Sequence, residues 1–322
     1  MVSTINAPVL GIGDALVDLN TFADQIPAKG GNVWSTAVTM TPGGTTANIV
    51  AGLSSLGINS HFVGCIGKDA FGTFIYEDFK RLGVDTSWIY QLEDTFTGFV
   101  LSIVDPEGER TFIACAKGAA FFQMNAAMFK DINFSQFPLS FSTGVCLVEE
   151  PSRTILLTVY EKIKQAGCPL YFDPNLRPDG DVFPDVIKNA TWQAFKYAEV
   201  VLIGDEELKL LSPGFSDIEV IERIKACGPS MVVLKQGEKG ATLFSDQGTE
   251  YCPGFDVSII STQGAGDAFD AGFIAGRLRG YPDKEALKYA CGVAGLKVAS
   301  GGSRALPTHE QTQAFIKSVN SR

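Results

Sequence analysis

The sequence predicts an α/β fold of three layers, in which a mainly parallel central sheet is flanked by helices and accompanied by a small second sheet. The first observation is that short apolar runs alternate with helical patterns from Ile58 onward, which predicts parallel strands joined by right-handed crossovers. The second is that these runs are nearly continuous in apolar residues, as expected for strands buried on both faces. The third is that segments 19–41 and 97–116 break the alternation.

The main sheet is predicted from five apolar runs, at 61–67, 139–145, 169–173, 200–204 and 231–235. Helical periodicity between them predicts helices at 70–83, 152–167 and 217–228. A further β-rich run, Val257 to Ser261, is predicted as the strand that leads into the helical pattern after Gly266.

The two segments outside the alternation predict the small sheet. Residues 97–116 form two alternating runs around the turn sequence DPEGE, which indicates a β-hairpin. Residues 19–41 contain short extended pieces with two adjacent glycines. We expect these segments to form a lid over a site, within one domain that spans 1–322. The alternative is that they are two unrelated surface excursions.

The composition narrows the classes of function. The 322 residues are 45% hydrophobic and 19% charged, as in globular proteins. The net charge of −10 argues against a nucleic-acid partner, because phosphate backbones select basic surfaces. The seven cysteines are scattered and form no CxxC pair, so no disulfide framework or zinc site is expected. Without a signal-peptide pattern or a membrane-length apolar run, the expected location is the cytoplasm, with no membrane partner.

The run GAGDAFDAGF, at 264–273, carries the most chemical information. A glycine turn followed by a helical pattern predicts a helix N-terminus whose unpaired amides favour a bound anion such as a phosphoryl group. Asp267 follows the turn directly and could take a proton from an acceptor hydroxyl beside that anion. The alternative is that Asp267 only caps the helix.

This run resembles the C-terminal signature of the ribokinase-like (PfkB) family of carbohydrate and nucleoside kinases, and PGGTTANIVAGLSSLG at 42–57 resembles a second signature. The resemblance extends over essentially the whole chain and is nearest to the fructokinase and ribokinase types. It implies a ribokinase-like α/β sandwich with a β lid, ATP and Mg²⁺ as cofactors, a small sugar or nucleoside as substrate, and a homodimer formed through the lids.

The resemblance also implies roles for residues on the substrate side. Asp267 corresponds to the catalytic base, and the amides of Gly264, Ala265 and Gly266 correspond to the anion hole. A sugar site is implied for four residues: Asp18, Gly43, Gly44 and Asn48. Asp14 is a weaker candidate for sugar binding and is alternatively a cap, and the glycine pair is alternatively an ordinary turn before a helix.

The nucleotide side is implied by three further segments. YFDPNLRPDG at 171–180 is similar to the DxNLRP segment of fructokinase-like members, which assigns Arg177 to the phosphates or the sugar and Asn175 to the nucleotide. Glu207 matches a glutamate that organises water around Mg²⁺. LKQGEKGATLF at 234–244 resembles the family's KxGxxG segment, which places Lys235, Gly237 and Gly240 beside ATP. Residues 290–298 and the loop 300–307 are expected to close over the adenine.

Two departures qualify the resemblance. Ser261 stands where many relatives carry an aspartate that helps to bind K⁺, so a K⁺ site is doubtful. The segment after GERTF has Lys117 as its only cation, which favours a neutral sugar over a carboxylated one. The alternatives are a nucleoside kinase, with Phe22, Trp34, Phe99 and Ile113 as an apolar wall for the base, and a noncatalytic sugar-binding regulator. Those four residues alternatively pack the lid or a dimer interface.

Overall fold

The computed structural model describes residues 5–107, 110–178, 183–302 and 304–320. The strands within these ranges are β1 Ile5–Ile12, β2 Leu16–Phe22, β3 Ala37–Gly43, β4 Ile58–Gly67, β5 Asp85–Leu92, β6 Phe99–Val104, β7 Arg110–Cys115, β8 Leu139–Thr143, β9 Leu170–Asp173, β10 Val200–Gly204, β11 Met231–Lys235, β12 Ala241–Ser245 and β13 Gly248–Cys252. The α-helices are α1 Thr45–Ser55, α2 Ala70–Leu82, α3 Ser152–Gln165, α4 Asp185–Phe195, α5 Asp205–Leu211, α6 Asp217–Cys227, α7 Ala265–Leu278, α8 Asp283–Val298 and α9 His309–Asn320.

Nine strands form the main sheet, in the order β13-β12-β11-β10-β9-β8-β1-β4-β5. Its pairs are parallel from β11 to β5, and only β12 and β13 join antiparallel. Because parallel strands end at the same edge, the carboxyl ends of β9, β10 and β11 lie side by side. Ligand crevices of open α/β sheets form at this edge.

Alternate residues of the main strands enter two different cores. In β10, Val201 and Ile203 pack in the core covered by α3 to α6, whereas Val200 and Leu202 pack in the core covered by α1, α2, α7 and α8. The strands are therefore buried on both faces, and the predicted three-layer α/β fold is confirmed.

The small sheet has four strands in the order β3-β2-β6-β7. Its outer pairs are antiparallel, while β2 and β6 run parallel. The 97–116 segment forms the predicted hairpin of β6 and β7; residues 108 and 109 of its turn lie outside the described residues. The 19–41 segment contributes β2 and β3, which begin at Leu16 and end at Gly43.

Element bounds agree most closely where strands are fully buried: β10 and β11 have the predicted limits. The strand predicted from Val257 to Ser261 is wrong, because residues 253–262 contain no strand. Ile259 and Ile260 are exposed there, and the amides of Ile260 and Ser261 bond to the Val298 carbonyl instead of a strand. High β-propensity has no effect where no neighbouring strand pairs with the segment. Among the helices of the described ranges, none is long and apolar enough to cross a bilayer.

Candidate active site

The glycine turn before α7 has the geometry expected of an anion-binding helix end. Gly264 adopts the left-handed conformation, with φ 72°, directly before the first helical residue. The Ala265 amide donates to the Thr262 carbonyl at 3.1 Å, so this predicted donor is already bonded within the turn. The amides of Gly264 and Gly266 have no such partner within the described part of the chain. These two amides are the available donors for an anion.

Asp267 lies in the first turn of α7 and is 9% exposed. Asn48 of α1 donates from Nδ2 to its Oδ2 at 2.7 Å, which joins two residues separated by 219 positions. Burial raises the pKa of Asp267 to about 6, although the Asn48 hydrogen bond opposes the shift. Asn48 Oδ1 is buried and has no hydrogen-bond partner among the described residues. A carboxylate with this pKa next to an open acceptor suits proton transfer from a bound hydroxyl.

Asp18 of β2 lies beside the segment that leads into the glycine turn. Its Oδ2 accepts a hydrogen bond from Gln263 Nε2 at 2.9 Å, and Gln263 Oε1 accepts one from Arg110 Nη1 at 3.0 Å. Burial raises the pKa of Asp18 to about 6, while Arg304 is the strongest of the groups that lower it. The small sheet is thus linked to the glycine turn through Gln263.

The glycine pair before α1 is required by close contacts. A Cβ on Gly43 would lie 2.5 Å from Asp18 Oδ2, and one on Gly44, with φ 96°, would meet the backbone of Ala15 at 2.8 Å. Asp14 accepts hydrogen bonds from the amides of Thr45 and Thr46, at 2.7 and 3.0 Å. Asp14 is therefore the remote cap of α1, the alternative that the sequence left open, and its cap supports the helix that carries Asn48.

A buried charge cluster occupies the carboxyl ends of β9 and β11. Lys235 Nζ contacts Asp173 Oδ2 at 2.9 Å and both carboxylate oxygens of Asp270 at 3.2 Å. The Asp173 and Asp270 side chains are 3% and 1% exposed. A Cβ on Gly266 would lie 3.8 Å from Lys235 Nζ, so the ammonium group is adjacent to the glycine turn.

Burial and the neighbouring charges shift the pKa values of these three side chains differently. Burial raises the pKa of Asp270 well above its usual range. Burial also acts to raise the pKa of Asp173, but the Lys235 ammonium and hydrogen bonds lower it overall. For Lys235, burial alone would lower the pKa, and the neighbouring carboxylates raise it. The Lys235 ammonium group is thus stabilised between two buried carboxylates.

Glu207 lies in the first turn of α5, near this cluster. Its two oxygens accept hydrogen bonds from the amides of Gly204 and Leu176, both at 2.6 Å. Burial raises its pKa to about 7, and the charge of Asp173 adds to the shift. The carboxylate therefore holds two chain segments together, and the metal-linked role predicted for it stays a prediction.

The loop after β9 brings two predicted residues to the surface beside the site. Asn175 has φ 40°, and its amide donates to Asp173 Oδ1 at 2.9 Å. Arg177 is exposed and donates from Nε to Asn175 Oδ1 at 2.9 Å. The charge of Arg177 acts to lower the pKa of Asp267, so its guanidinium group lies within electrostatic range of that carboxylate. Residues 179–182, which end the predicted motif, lie outside the described residues.

The KxGxxG segment continues from Lys235 into a tight turn. Gly237 has φ 58° and open space where a Cβ would lie, whereas a Cβ on Gly240 would lie 2.0 Å from the Cys252 carbonyl oxygen. Gly240 is thus required by packing against 252–254. In the loop predicted over the adenine, Arg304 Nη1 donates to the Ala47 carbonyl of α1 at 2.8 Å; Ser303 lies outside the described residues. Nucleotide contacts of these segments stay predictions.

Four charged residues near the site were missed by sequence reasoning: Arg110, Asp270, Lys297 and Arg304. Asp270 follows Asp267 by three positions, which is the helical spacing that places two side chains on one face, so its signal was present. Arg110 belongs to the GERTF run, before the segment whose only cation is Lys117, and it reaches Gln263. Lys297 and Arg304 approach Asp267 only through tertiary packing.

The chain resembles known proteins over almost its whole length. Residues 7–310 match the profile described as pfkB family carbohydrate kinase. A fructokinase from Vibrio alginolyticus is 31% identical over 312 residues, which cover 94% of this chain and 97% of that protein. A 5-dehydro-2-deoxygluconokinase from Clostridium beijerinckii is 27% identical, covering 96% and 92%. The crystal structure of a fructokinase with bound ATP from Xylella fastidiosa has a TM-score of 0.85, with 23% identity and coverage of 97% and 99%.

The charge cluster predicts that two lysine substitutions lower the free energy of unfolding by different amounts. We expect Lys235→Met to lower the free energy of unfolding by about 3–5 kcal/mol, because it leaves Asp173 buried without its cation. Lys225→Met, which removes a lysine paired with the exposed Asp246, should cost less than about 1 kcal/mol. Urea unfolding of both variants measures the difference. Adding Asp173→Asn to Lys235→Met should recover part of the loss, and equal stabilities of the two lysine variants would contradict the assignment.

Proposed function

Because the chain belongs to the pfkB family of carbohydrate kinases, we propose that it transfers the terminal phosphoryl group of ATP to a hydroxyl group of a neutral ketose, as a fructokinase does. The observation that carries this proposal is Asp267. It is a buried carboxylate with a pKa of about 6, located one residue after an amide without a backbone partner and bonded to an amide side chain whose oxygen is open.

Each group has a defined task in this reaction. Asp267 takes the proton of the acceptor hydroxyl, and Asn48 holds the carboxylate in place. The amides of Gly264 and Gly266 donate to the oxygens of the moving phosphoryl group, where negative charge develops. Asp18 accepts hydrogen bonds from other hydroxyls of the sugar. Phosphoryl transfer needs little more of the protein than this positioning and charge stabilisation.

The nucleotide would be held at the carboxyl ends of β9 to β11. Lys235 is adjacent to the glycine turn, so its ammonium group is placed to meet a phosphate beside Gly266. Mg²⁺ offsets triphosphate charge when it is bound, and oxygen donors are its preferred ligands. Glu207 supplies such oxygens. Each Glu207 oxygen accepts one amide and keeps a second lone pair for a metal-bound water, so this residue fits the ion.

A second candidate substrate is a sugar acid. Arg110 reaches Gln263 and Ser261 from the small sheet, and Arg304 exerts a charge effect on both Asp18 and Asp267. Two guanidinium groups around the sugar site could meet a substrate carboxylate. The relative from Clostridium beijerinckii, a 5-dehydro-2-deoxygluconokinase, gives this candidate a precedent. The neutral ketose is the preferred candidate substrate because both guanidinium groups already have hydrogen-bond partners in the protein.

A nucleoside substrate is less well supported. Residues paired in register share one face of a sheet, and Asp18 is in register with Val100, which pairs with Ala114. Phe99 and Ile113 each neighbour a member of this row along their strands, so they lie on the opposite face. Phe99 instead packs against Phe71 of α2, with ring centroids 5.5 Å apart. These two side chains therefore do not form a wall for a base.

A panel of acceptors tests the proposed reaction. The purified chain is assayed for ADP release with fructose, ribose, a sugar acid and a riboside, at saturating ATP and Mg²⁺. We expect the highest kcat/KM for fructose, and a preference for the sugar acid would favour the second candidate.

Asp267→Ala should lower kcat by about 10²- to 10⁴-fold, the usual contribution of a general base. It should still bind ATP, which calorimetry measures. Near-normal turnover of Asp267→Ala would contradict the role of the base.

The pKa of Asp267 predicts the acid limb of the rate profile. A general base must be ionised, so kcat/KM for the sugar should fall as the pH decreases through about 6 and level off above it. Asn48→Leu removes the hydrogen bond that lowers this pKa and keeps the site buried, so the limb should move to higher pH. If the limb does not move, it belongs to another group, such as Asp18, whose pKa is also about 6.

We also infer that the chain forms a homodimer through the small sheet. On the face opposite Asp18, Met40, Leu19, Leu101 and Ile113 pair in register across all four strands. Met40 and Ile113 at the ends of this row are 43% and 51% exposed. An apolar row that crosses a whole sheet is self-complementary when a two-fold axis places it against its own copy.

A charge in this row should disrupt the dimer. We expect Ile113→Glu to be monomeric at micromolar concentration, because the interface would bury a carboxylate without a partner. The matched control is Ile218→Glu, since Ile218 is 56% exposed on α6, outside the small sheet. Analytical ultracentrifugation gives the masses. A monomeric wild type, or a dimer that tolerates Ile113→Glu, would refute the interface.

A further inference from the structure

Lys297 is the least explained charge near the site. Its side chain lies near the end of α8 and is fully buried, at 0% exposure. Its Nζ has no hydrogen-bond partner in the described part of the chain. Removing an ammonium group from water without a partner is strongly unfavourable. A buried lysine keeps its charge where a nearby anion offsets this cost.

The anion that acts on this lysine is Asp267. Burial lowers the pKa of Lys297, and the charge of Asp267 opposes that shift. The backbone locates the same lysine independently: the carbonyl of the next residue, Val298, accepts the amides of Ile260 and Ser261 at 2.8 and 3.1 Å. The end of α8 is thereby attached to the segment that leads into the glycine turn.

The two arginines on this side of Asp267 are already engaged. Arg110 donates to Gln263 and Ser261, and Arg304 pairs with Asp78 and donates to the Ala47 carbonyl. Arg304 Nη2 also lacks a hydrogen-bond partner in the described part of the chain, but its guanidinium group is paired with Asp78, whereas Lys297 has neither an ion pair nor a hydrogen bond there. Ser261 and Gln263 before the turn are uncharged, so no carboxylate of this segment neutralises it.

We propose that Lys297 is a positioning residue of the phosphoryl-transfer site, a fixed internal cation that raises the positive potential at the Gly264 and Gly266 amides and makes a monovalent metal ion unnecessary there. It transfers no proton and forms no bond to the substrate. Its charge offsets the negative charge of the transferring group and of Asp267 together. A bound K⁺ would have to lie beside this ammonium without a carboxylate, which like-charge repulsion disfavours. The inference rests on the proposed kinase reaction.

Two variants of α8 separate a charge effect from a packing effect. We expect Lys297→Met to lower kcat by about 10- to 100-fold, below the usual effect of a direct oxyanion donor. Its thermal stability should equal or exceed that of the wild type, because a buried charge is replaced by an apolar chain of similar length. Lys284→Met changes an exposed lysine of the same helix and should leave kcat unchanged.

Rescue of activity by small cations distinguishes a charge role of Lys297 from a purely structural role, which predicts no rescue. Wild-type turnover should be the same in K⁺ and in N-methylglucamine buffers. Lys297→Ala opens a cavity, and ethylammonium or K⁺ should restore at least part of its lost kcat. A wild type that K⁺ activates several-fold, a Lys297→Met variant with normal kcat, or the absence of any rescue would each overturn the proposal.

A second measurement keeps this inference separate from the choice of substrate. MgADP with aluminium fluoride mimics the transferring phosphoryl group and needs no sugar. Calorimetry should show that Lys297→Met binds it about tenfold or more weakly than the wild type, with ATP affinity changed much less. If no acceptor in the panel is phosphorylated but this difference is found, the proposed substrate fails and the role of Lys297 stands. Equal affinities overturn the role of Lys297 alone.

Discussion

The hydrogen bond between Asn48 and Asp267 is the contact on which the site depends, because it joins two helices that begin at glycines. Helix α1 starts after Gly44, and α7 starts after Gly264. Neither glycine offers a side-chain cap. At α1, Asp14 supplies the cap from the β1–β2 connection; at α7, the amides of Gly264 and Gly266 stay open to an anion. The 2.7 Å bond brings these helix ends together.

Charged side chains lie on both sides of the Asn48–Asp267 contact, at the strand ends of β9 and β11 and towards the small sheet, and they are arranged differently on each side. At the strand ends, Lys235 is shared by the buried carboxylates of Asp173 and Asp270, and burial raises the pKa of Asp270 well above its usual range. On the side of the small sheet, three cations act on two buried carboxylates: Arg110 and Arg304 on Asp18, and Lys297 and Arg304 on Asp267. A chain with net charge −10 thus places positive charge beside these two carboxylates. Local arrangement, and not the overall balance, decides which ligand is attracted.

The sequence predicted what local pattern determines. The strands at 200–204 and 231–235 were located because apolar runs mark them. The turn at 264–266 was located because its glycines, followed by an acidic residue and a helical pattern, indicate a helix N-terminus. The Val257–Ser261 strand failed because pairing depends on a neighbour that local propensity does not reveal. Arg110, Lys297 and Arg304 could not be assigned, since each reaches the site from a distant part of the sequence. Asp14 shows the same limit: its role as a cap follows from helix α1 being packed against β1.

The link from Arg110 through Gln263 to Asp18 gives the small sheet more than a covering role. Asp18 Oδ2 accepts the Gln263 amide, and Gln263 Oε1 accepts the Arg110 guanidinium. Gln263 directly precedes Gly264, so a carboxylate of β2 and a cation of β7 are both bonded to the segment that leads into α7. A change in the position of the small sheet would therefore act on the glycine turn through one glutamine, which a purely steric cover would not achieve.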